Sequence, residues 1–126
     1  MKIAVRYFSK LGNTKRIAEA IAEGAGVKAV SVTDEPYISE RVDVLFLGGA
    51  PYANIMAPEL REYANKLTKE MVGRVVLFTT SNWSRRTVSA LKRIMKEKDI
   101  QVEDDYFYAH MTRINARTRA AREFAI

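Results

Sequence analysis

The stretch "YFSKLGNTKR", Tyr7 to Arg16, joins an apolar run to an amphipathic one. On its left, residues 2–8 are rich in β-branched and aromatic side chains, which predicts a strand. On its right, residues 14–24 carry apolar side chains at helical spacing, which predicts a helix. The stretch is therefore expected to be the corner of a strand-to-helix unit.

Strands and helices are predicted to alternate along the whole chain. The runs at 42–49 and 73–80 are almost entirely apolar, as strands buried on both faces are. Residues 33–41 are expected to be a short connection with one helical turn at Pro36. Such an alternation predicts an α/β fold, with a parallel sheet covered by helices on both faces, in a single domain of residues 1–126. The full expectation is strands at 2–8, 27–32, 42–49, 73–80 and 101–109, and helices at 14–24, 58–67, 85–98 and 115–125, the last capped by Asn115.

Composition narrows the classes of function. The 126 residues include no cysteine, which excludes disulfides, thiolate metal sites and cysteine nucleophiles and fits a cytoplasmic location. No apolar stretch reaches the length of a membrane span, so no membrane association is expected. The formal charge of +6 is spread among acidic residues, which favours a basic solvated surface over nucleic-acid binding. The single histidine, His110, has no cysteine or cluster of acidic residues beside it in the sequence, so neither catalytic residues nor a metal are expected.

In parallel α/β sheets, ligands bind beyond the carboxyl ends of the strands, and this rule selects the loops after strands one, three and four, of which the first is residues 9–14. A helix start presents unpaired amides, and Gly12 lets the backbone approach a ligand closely. Two interpretations are open. The loop could hold a small terminal phosphate, or it could be a glycine turn followed by an Asn or Thr helix cap with no ligand. Hydroxyl, amide and cationic groups that suit a phosphate are those of Ser9, Asn13, Thr14, Lys10, Lys15 and Arg16.

The segment "SKLGNT", residues 9–14, resembles the phosphate loop of the flavodoxin family, [ST]-x-[ST]-G-x-T. Leu11 departs from that pattern, because the family usually has a hydroxyl residue there. The resemblance continues through "DVLFLGGAPY" at 43–52, "VVLFTTSNW" at 75–83 and "AREFA" at 121–125, and so covers essentially the whole chain. It implies a three-layer flavodoxin-like fold, with a five-stranded parallel sheet of order 2-1-3-4-5. It also implies FMN at the switch between strands one and three, a rule for which flavodoxin is itself the standard example.

The resemblance also implies which residues hold FMN. Tyr52 and Trp83 are aromatic residues in the loops after strands three and four, and they are expected to stack on the isoalloxazine ring. In the alternative interpretation, each of them packs on a neighbouring helix. The cofactor-binding residues implied are Ser9, Lys10, Leu11, Gly12, Asn13 and Thr14 at the phosphate, and Ala50, Pro51, Tyr52, Ala53, Asn54, Ser81, Asn82 and Trp83 at the ring.

The expected function is an FMN-binding electron carrier, in which the cofactor performs the redox chemistry. Two alternatives stay open: a flavodoxin-like binding module that has lost flavin, and a small FMN-dependent reductase. Because the chain is basic, its redox partner is expected to be an acidic protein. No nucleic-acid partner is expected, and the chain is expected to be a monomer or a weak dimer.

Overall fold

A computed structural model of the chain describes residues 1–52, 55–81 and 84–125. The strands and helices lie close to the predicted positions, with end shifts of one or two residues in most of them. In chain order they are β1 (Ile3–Phe8), α1 (Asn13–Ala25), β2 (Ala29–Ser31), β3 (Val42–Gly49), β4 (Pro51–Tyr52), β5 (Ile55–Met56), α2 (Pro58–Lys66), β6 (Val72–Ser81), α3 (Arg86–Glu97), β7 (Val102–His110) and α4 (Ile114–Phe124).

Five of these strands form one parallel sheet in the order β2-β1-β3-β6-β7. Numbered among themselves, these strands have the order 2-1-3-4-5, so the predicted fold and topology are confirmed. The order reverses between β1 and β3. The remaining strands, β4 and β5, form a small antiparallel pair in the loop after β3. The sequence did not indicate this pair, because two-residue strands are too short to show an alternating pattern.

The sheet separates two apolar layers. One face packs against α1 and α4, where Val5 is buried together with Ile17 and Ala121. The other face packs against α2 and α3, where Leu60 and Leu91 are fully buried. The apolar side chains predicted to share one face of the helix at 14–24 are therefore those that α1 buries, and α2 and α3 also bury one apolar face each.

The last helix begins one residue earlier than predicted, and Asn115 does not cap it. α4 starts at Ile114, and no side chain among the described residues caps it. Ile114 is buried and anchors the first turn, while the amide of Arg113 donates to the carbonyl oxygen of His110. Asn115 lies inside that turn, and its Oδ1 accepts a hydrogen bond from Arg16 at 3.4 Å. The cap prediction was wrong because burial of Ile114 determines where the helix starts.

The connection at 33–41 contains no helical turn at Pro36, so that prediction was also wrong; the single turn lies earlier, at the end of β2. The chain turns directly at the end of β2, where the amides of Asp34 and Glu35 both donate to the carbonyl oxygen of Ser31. Pro36 follows and has no amide hydrogen to continue a helical pattern. From there the chain reaches β3 without a further regular element.

Arg6 and Tyr63 place polar atoms inside the layer under α2. Arg6 lies in the middle of β1 with its side chain 14% exposed, and its guanidinium pairs with Glu35 at 3.2 Å. The Nε of Arg6 and the hydroxyl of Tyr63 are buried, and neither has a hydrogen-bond partner among the described residues. Burial raises the pKa of Tyr63 to about 12, and the nearby charge of Arg6 offsets this only in part. The folded chain therefore keeps this phenol neutral at pH values where the unfolded chain ionises it.

The Tyr63→Phe variant is expected to match the native stability at about pH 7 and to exceed it at about pH 11. At neutral pH the lost hydroxyl has no partner, so its removal costs little. The folded pKa of Tyr63 lies above the unfolded value of about 10, so its contribution is complete below about pH 10. The native chain then loses about 1.4 kcal/mol of unfolding free energy per pH unit up to the folded pKa, and the variant does not. Urea unfolding at both pH values measures the difference, with the exposed Tyr37→Phe as control. An identical alkaline loss in the native chain and Tyr63→Phe would contradict this assignment.

Candidate functional site

The loops after β1, β3 and β6 meet at the carboxyl edge of the sheet and line a cavity of about 230 Å³. The start of α1 and the first residue after β7 complete its wall. The cavity lies where the strand order reverses between β1 and β3, which is the position where ligands bind in open α/β sheets. The fold therefore brings the loops selected from the sequence to one place.

The first corner is shaped by a glycine in the left-handed conformation. Gly12 has a φ of 92°, and its amide donates to Ser9 Oγ at 3.0 Å. α1 begins at Asn13, and no side chain among the described residues caps it. The amides of its first turn therefore have no acceptor within the helix. The interpretation in which Asn13 or Thr14 caps the helix is wrong, and the corner presents free amides at the positive end of the helix dipole.

Two buried hydroxyl groups face each other across the cavity wall. Thr14 Oγ1 of α1 and Thr80 Oγ1 of β6 lie 2.7 Å apart, and each residue is only 1% exposed. Because the bond between them uses one hydroxyl hydrogen, the other remains available to a ligand oxygen. Thr80 was not predicted as a site residue, although a polar residue at the end of the apolar run "VVLFTT" could have identified it.

Hydrogen bonds also fix the carboxyl end of β6. Thr79 Oγ1 donates to the carbonyl oxygen of Gly49 at 2.7 Å, which ties β6 to the end of β3. Ser81 Oγ donates to the carbonyl oxygen of Ser84 at 2.7 Å. The carbonyl oxygen of Ser81 accepts from the hydroxyl of Tyr108 at 2.9 Å. The carboxyl end of β6 is thus tied to both neighbouring strands, and the two ends of the loop that follows are tied to each other.

Tyr52 joins the second loop to the first. Its hydroxyl accepts a hydrogen bond from the amide of Lys10 at 2.8 Å, and the Nζ of Lys10 lies 4.7 Å from its ring centroid. The ring also meets Phe8 edge to face, with centroids 6.1 Å apart. Tyr52 therefore fixes the position of the first loop. Part of the Tyr52 side chain also lines the cavity. Its stacking on a flavin ring stays a prediction.

Positive charge surrounds the cavity. None of the described residues that line it is acidic. Lys10, Lys15 and Arg16 are exposed beside it. A neighbouring cavity of about 380 Å³ shares Asn13 with the first and is lined by Arg16 and Arg113. This arrangement suits an anionic ligand rather than a cation.

The cavity brings together most of the predicted cofactor-binding residues. From the first loop, Ser9, Leu11, Asn13 and Thr14 line it, and Lys10 and Gly12 lie in the same loop. From the later loops, Ala50, Pro51, Tyr52 and Ser81 line it. Thr80, Ser84 and Met111 also line the cavity, and the sequence did not predict them. Ser84 and Met111 follow the ends of β6 and β7, and no sequence pattern marks either of them as a site residue. Ala53, Asn54, Asn82 and Trp83 lie outside the described residues.

The described residues show neither a membrane-spanning helix nor a metal-binding cluster. Within residues 1–52, 55–81 and 84–125, no helix is both long enough and apolar enough to cross a membrane. In those ranges, no group of three or more His, Asp or Glu side chains is arranged to hold a metal ion.

The chain is similar to flavodoxins in sequence pattern and in structure. The family model described as "Flavodoxin domain" matches residues 4–109. None of the curated protein sequences matches the chain.

Among solved structures, an archaeal flavodoxin has 18% sequence identity and a TM-score of 0.73, covering 99% of both chains. Flavodoxin 1 from Bacillus cereus, in its oxidised form, has 18% identity and a TM-score of 0.76, covering 98% of this chain and 94% of the other. A Fusobacterium nucleatum flavodoxin bound to flavin mononucleotide has 15% identity and a TM-score of 0.72, covering 99% and 95%. At such identities the structural likeness concerns the fold.

Proposed function

This chain belongs to the flavodoxin family, and on that premise we propose that it binds FMN at the carboxyl edge of its sheet and carries electrons through it. The observation that carries the proposal is the uncapped start of α1, which opens into a cavity with no acidic lining among the described residues. A structural relative from Fusobacterium nucleatum is described as bound to FMN, which supports the choice of ligand.

The groups at the first corner fit a phosphate. Amides at a helix start and serine or threonine hydroxyls donate hydrogen bonds, and a phosphate dianion accepts them. The hydroxyls available there are those of Ser9, Thr14 and Thr80, of which the last two are bonded to each other. The exposed Lys10 and Arg16 add positive potential without filling the cavity.

The remaining wall fits a flat apolar ring. Pro51 and Met111 supply apolar surface, and Tyr52 presents part of its aromatic side chain. We expect Trp83 to contribute a second aromatic face from the loop after β6. The flavin supplies the redox chemistry when it is bound, and the protein binds and orients it.

An electron carrier, a reductase and a flavin-free binding module would need different side chains in the lining of the cavity. A reductase that protonates its substrate through a side chain would need an acid or a base in the cavity. The described lining includes no histidine, lysine or carboxylate, and the hydroxyl of its tyrosine, Tyr52, already accepts a hydrogen bond from the Lys10 amide. This composition favours a carrier. Leu11 favours the flavin-free module, because it stands where the family usually has a hydroxyl and is 78% exposed. A cytoplasmic location stays a prediction.

Removal of the Thr14 hydroxyl is expected to weaken FMN binding by about ten- to a hundredfold. Thr14→Val keeps the shape of the side chain but removes the hydroxyl and leaves Thr80 without its partner, a loss of about 1–3 kcal/mol. Quenching of flavin fluorescence during titration of the apoprotein measures the affinity. Thr87→Val is the matched control, because Thr87 is also fully buried, has no hydrogen-bond partner among the described residues and does not line the cavity.

The titration also tests the proposal as a whole. Equal affinities of Thr14→Val and Thr87→Val for FMN would remove the first corner from the binding site. If the native apoprotein does not bind FMN, the carrier proposal fails and the flavin-free module takes its place.

A further inference from the structure

We propose that an acidic protein with an apolar contact patch docks on the surface around Leu11, in the first corner of the fold. This surface, called here the Leu11 surface, consists of Leu11, Lys10, Lys15, Arg16 and Arg113. The inference rests on the proposed function, because a partner placed there would cover the mouth of the FMN cavity.

Leu11 is exposed to a degree that the fold does not explain. Its side chain is 78% exposed, so it contributes almost nothing to the core. The turn requires the left-handed conformation at Gly12 and not an apolar residue before it. Ile55, another large apolar residue with high exposure at 58%, pairs with Tyr52, which lines the same cavity. Leu11 and Ile55 thus belong to two loops that meet at the cavity, and exposed apolar side chains in such a place suit a contact surface.

The cations of the Leu11 surface lie outside the ion pairs that the described residues form. Lys10, Lys15, Arg16 and Arg113 are all exposed. Among the described residues, none of these four forms an ion pair with a carboxylate. Eight other cations do form such pairs, on the remaining surfaces of the chain. The positive charge of Lys10, Lys15, Arg16 and Arg113 is therefore available to a partner.

The cations are contiguous with the cavity. Arg16 and Arg113 line a second cavity, which shares Asn13 and Met111 with the cavity that Leu11 lines. Positive charge thus follows the rim from the first loop to the start of α4. A partner that approaches the cavity meets this positive charge, and the described linings of the two cavities contribute no carboxylate to offset it.

An apolar centre with a charged rim is the usual composition of a protein–protein interface. An acidic protein would complement the four cations, and its apolar patch would cover Leu11. A nucleic acid would also meet the cations, but its phosphate backbone offers nothing apolar to Leu11. The combination therefore points to a protein.

The test uses the FMN-loaded protein with two probes, a [2Fe–2S] ferredoxin chosen for its acidic surface and the basic protein cytochrome c. Stopped-flow kinetics at low salt measure association, and calorimetry measures the dissociation constant. Ferredoxin is expected to associate rapidly, and its rate is expected to fall about tenfold or more as salt is raised; cytochrome c is expected not to bind.

Two double charge-reversal variants of this chain, with the same net charge, distinguish the effect of where the charges lie from the effect of the total charge. Lys15→Glu/Arg113→Glu changes the Leu11 surface. Lys28→Glu/Lys96→Glu changes two exposed cations that form no ion pair among the described residues, one before β2 and one at the end of α3. The first is expected to slow ferredoxin association about tenfold, and the second less than about twofold. Leu11→Ser, saturated with FMN, is expected to speed ferredoxin dissociation about fivefold, because its apolar contact is lost.

Equal slowing by the two charge-reversed proteins would show that only net charge matters and would overturn the proposal. Absence of ferredoxin binding, binding of cytochrome c at similar strength, or binding of single-stranded RNA with the same dependence on Lys15 and Arg113 would overturn it as well. Docking is also measured on the apoprotein. Ferredoxin binding without any FMN binding would refute the carrier function while leaving the docking surface intact, so the two failures are distinguishable.

Discussion

An alanine at Gly48 is expected to destabilise the folded chain by about 3 kcal/mol, at the upper end of the range for overpacked cores. Gly48 lies in β3 between β1 and β6. A Cβ atom at this position would overlap the backbone carbonyl and the ring of Phe78. Phe78 is fully buried in β6, which pairs with β3 on one side and β7 on the other. Neither strand can move away without losing hydrogen bonds to its neighbours, so the overlap is relieved only at a large cost.

The neighbouring glycine is the matched control. At Gly49 an added Cβ would lie 2.7 Å from a methyl group of Leu60, which is the end of a flexible side chain. Gly49→Ala is therefore expected to cost about 1 kcal/mol. Urea unfolding of both apoproteins measures the costs, since bound FMN would stabilise the folded state by mass action. Equal costs for the two variants would mean that the strands can separate at Gly48. If Gly48→Ala does not fold and Gly49→Ala does, the result agrees with the prediction.

The apoprotein is expected to bind FMN about 10²–10⁴ times more tightly than riboflavin, which lacks the phosphate. At least two hydrogen bonds to the dianion are expected at the first corner, each contributing about 1.5–3 kcal/mol because the acceptor is charged. The donors are the free amides at the start of α1 and the hydroxyls of Ser9 and of the Thr14–Thr80 pair. Lys10 and Arg16 add a longer-range attraction that salt screens.

Fluorescence titrations with the two flavins measure this ratio. Inorganic phosphate is the control, because it should compete with FMN for the corner and leave riboflavin binding unchanged. Similar affinities for the two flavins, or phosphate competition against both, would place the FMN phosphate elsewhere. The ratio is thus a test of position as well as of affinity.

The sequence alone determined the order and type of the main elements. Hydrophobic periodicity is a local property, so the runs at 42–49 and 73–80 could be identified as buried strands, and β3 has the predicted bounds. Alternation of strands with helices then required parallel pairing, and the position of "SKLGNT" at a strand-to-helix corner identified one wall of the site. The stripes of α1, α2 and α3 were predictable for the same reason, because helical spacing is visible within a few turns.

The tertiary structure alone decided which side chains meet. Thr14 and Thr80 are 66 positions apart, and their hydroxyls face each other only because β3 and β6 lie in the order and register that they do. The same is true of Tyr52, whose hydroxyl holds the amide of Lys10. The exposure of Leu11 at the rim of the cavity is likewise a tertiary property, because the cavity is formed by loops that are distant in the sequence. Local patterns record burial and backbone preference, but contacts between distant residues depend on strand order, register and packing, which no short stretch of sequence contains.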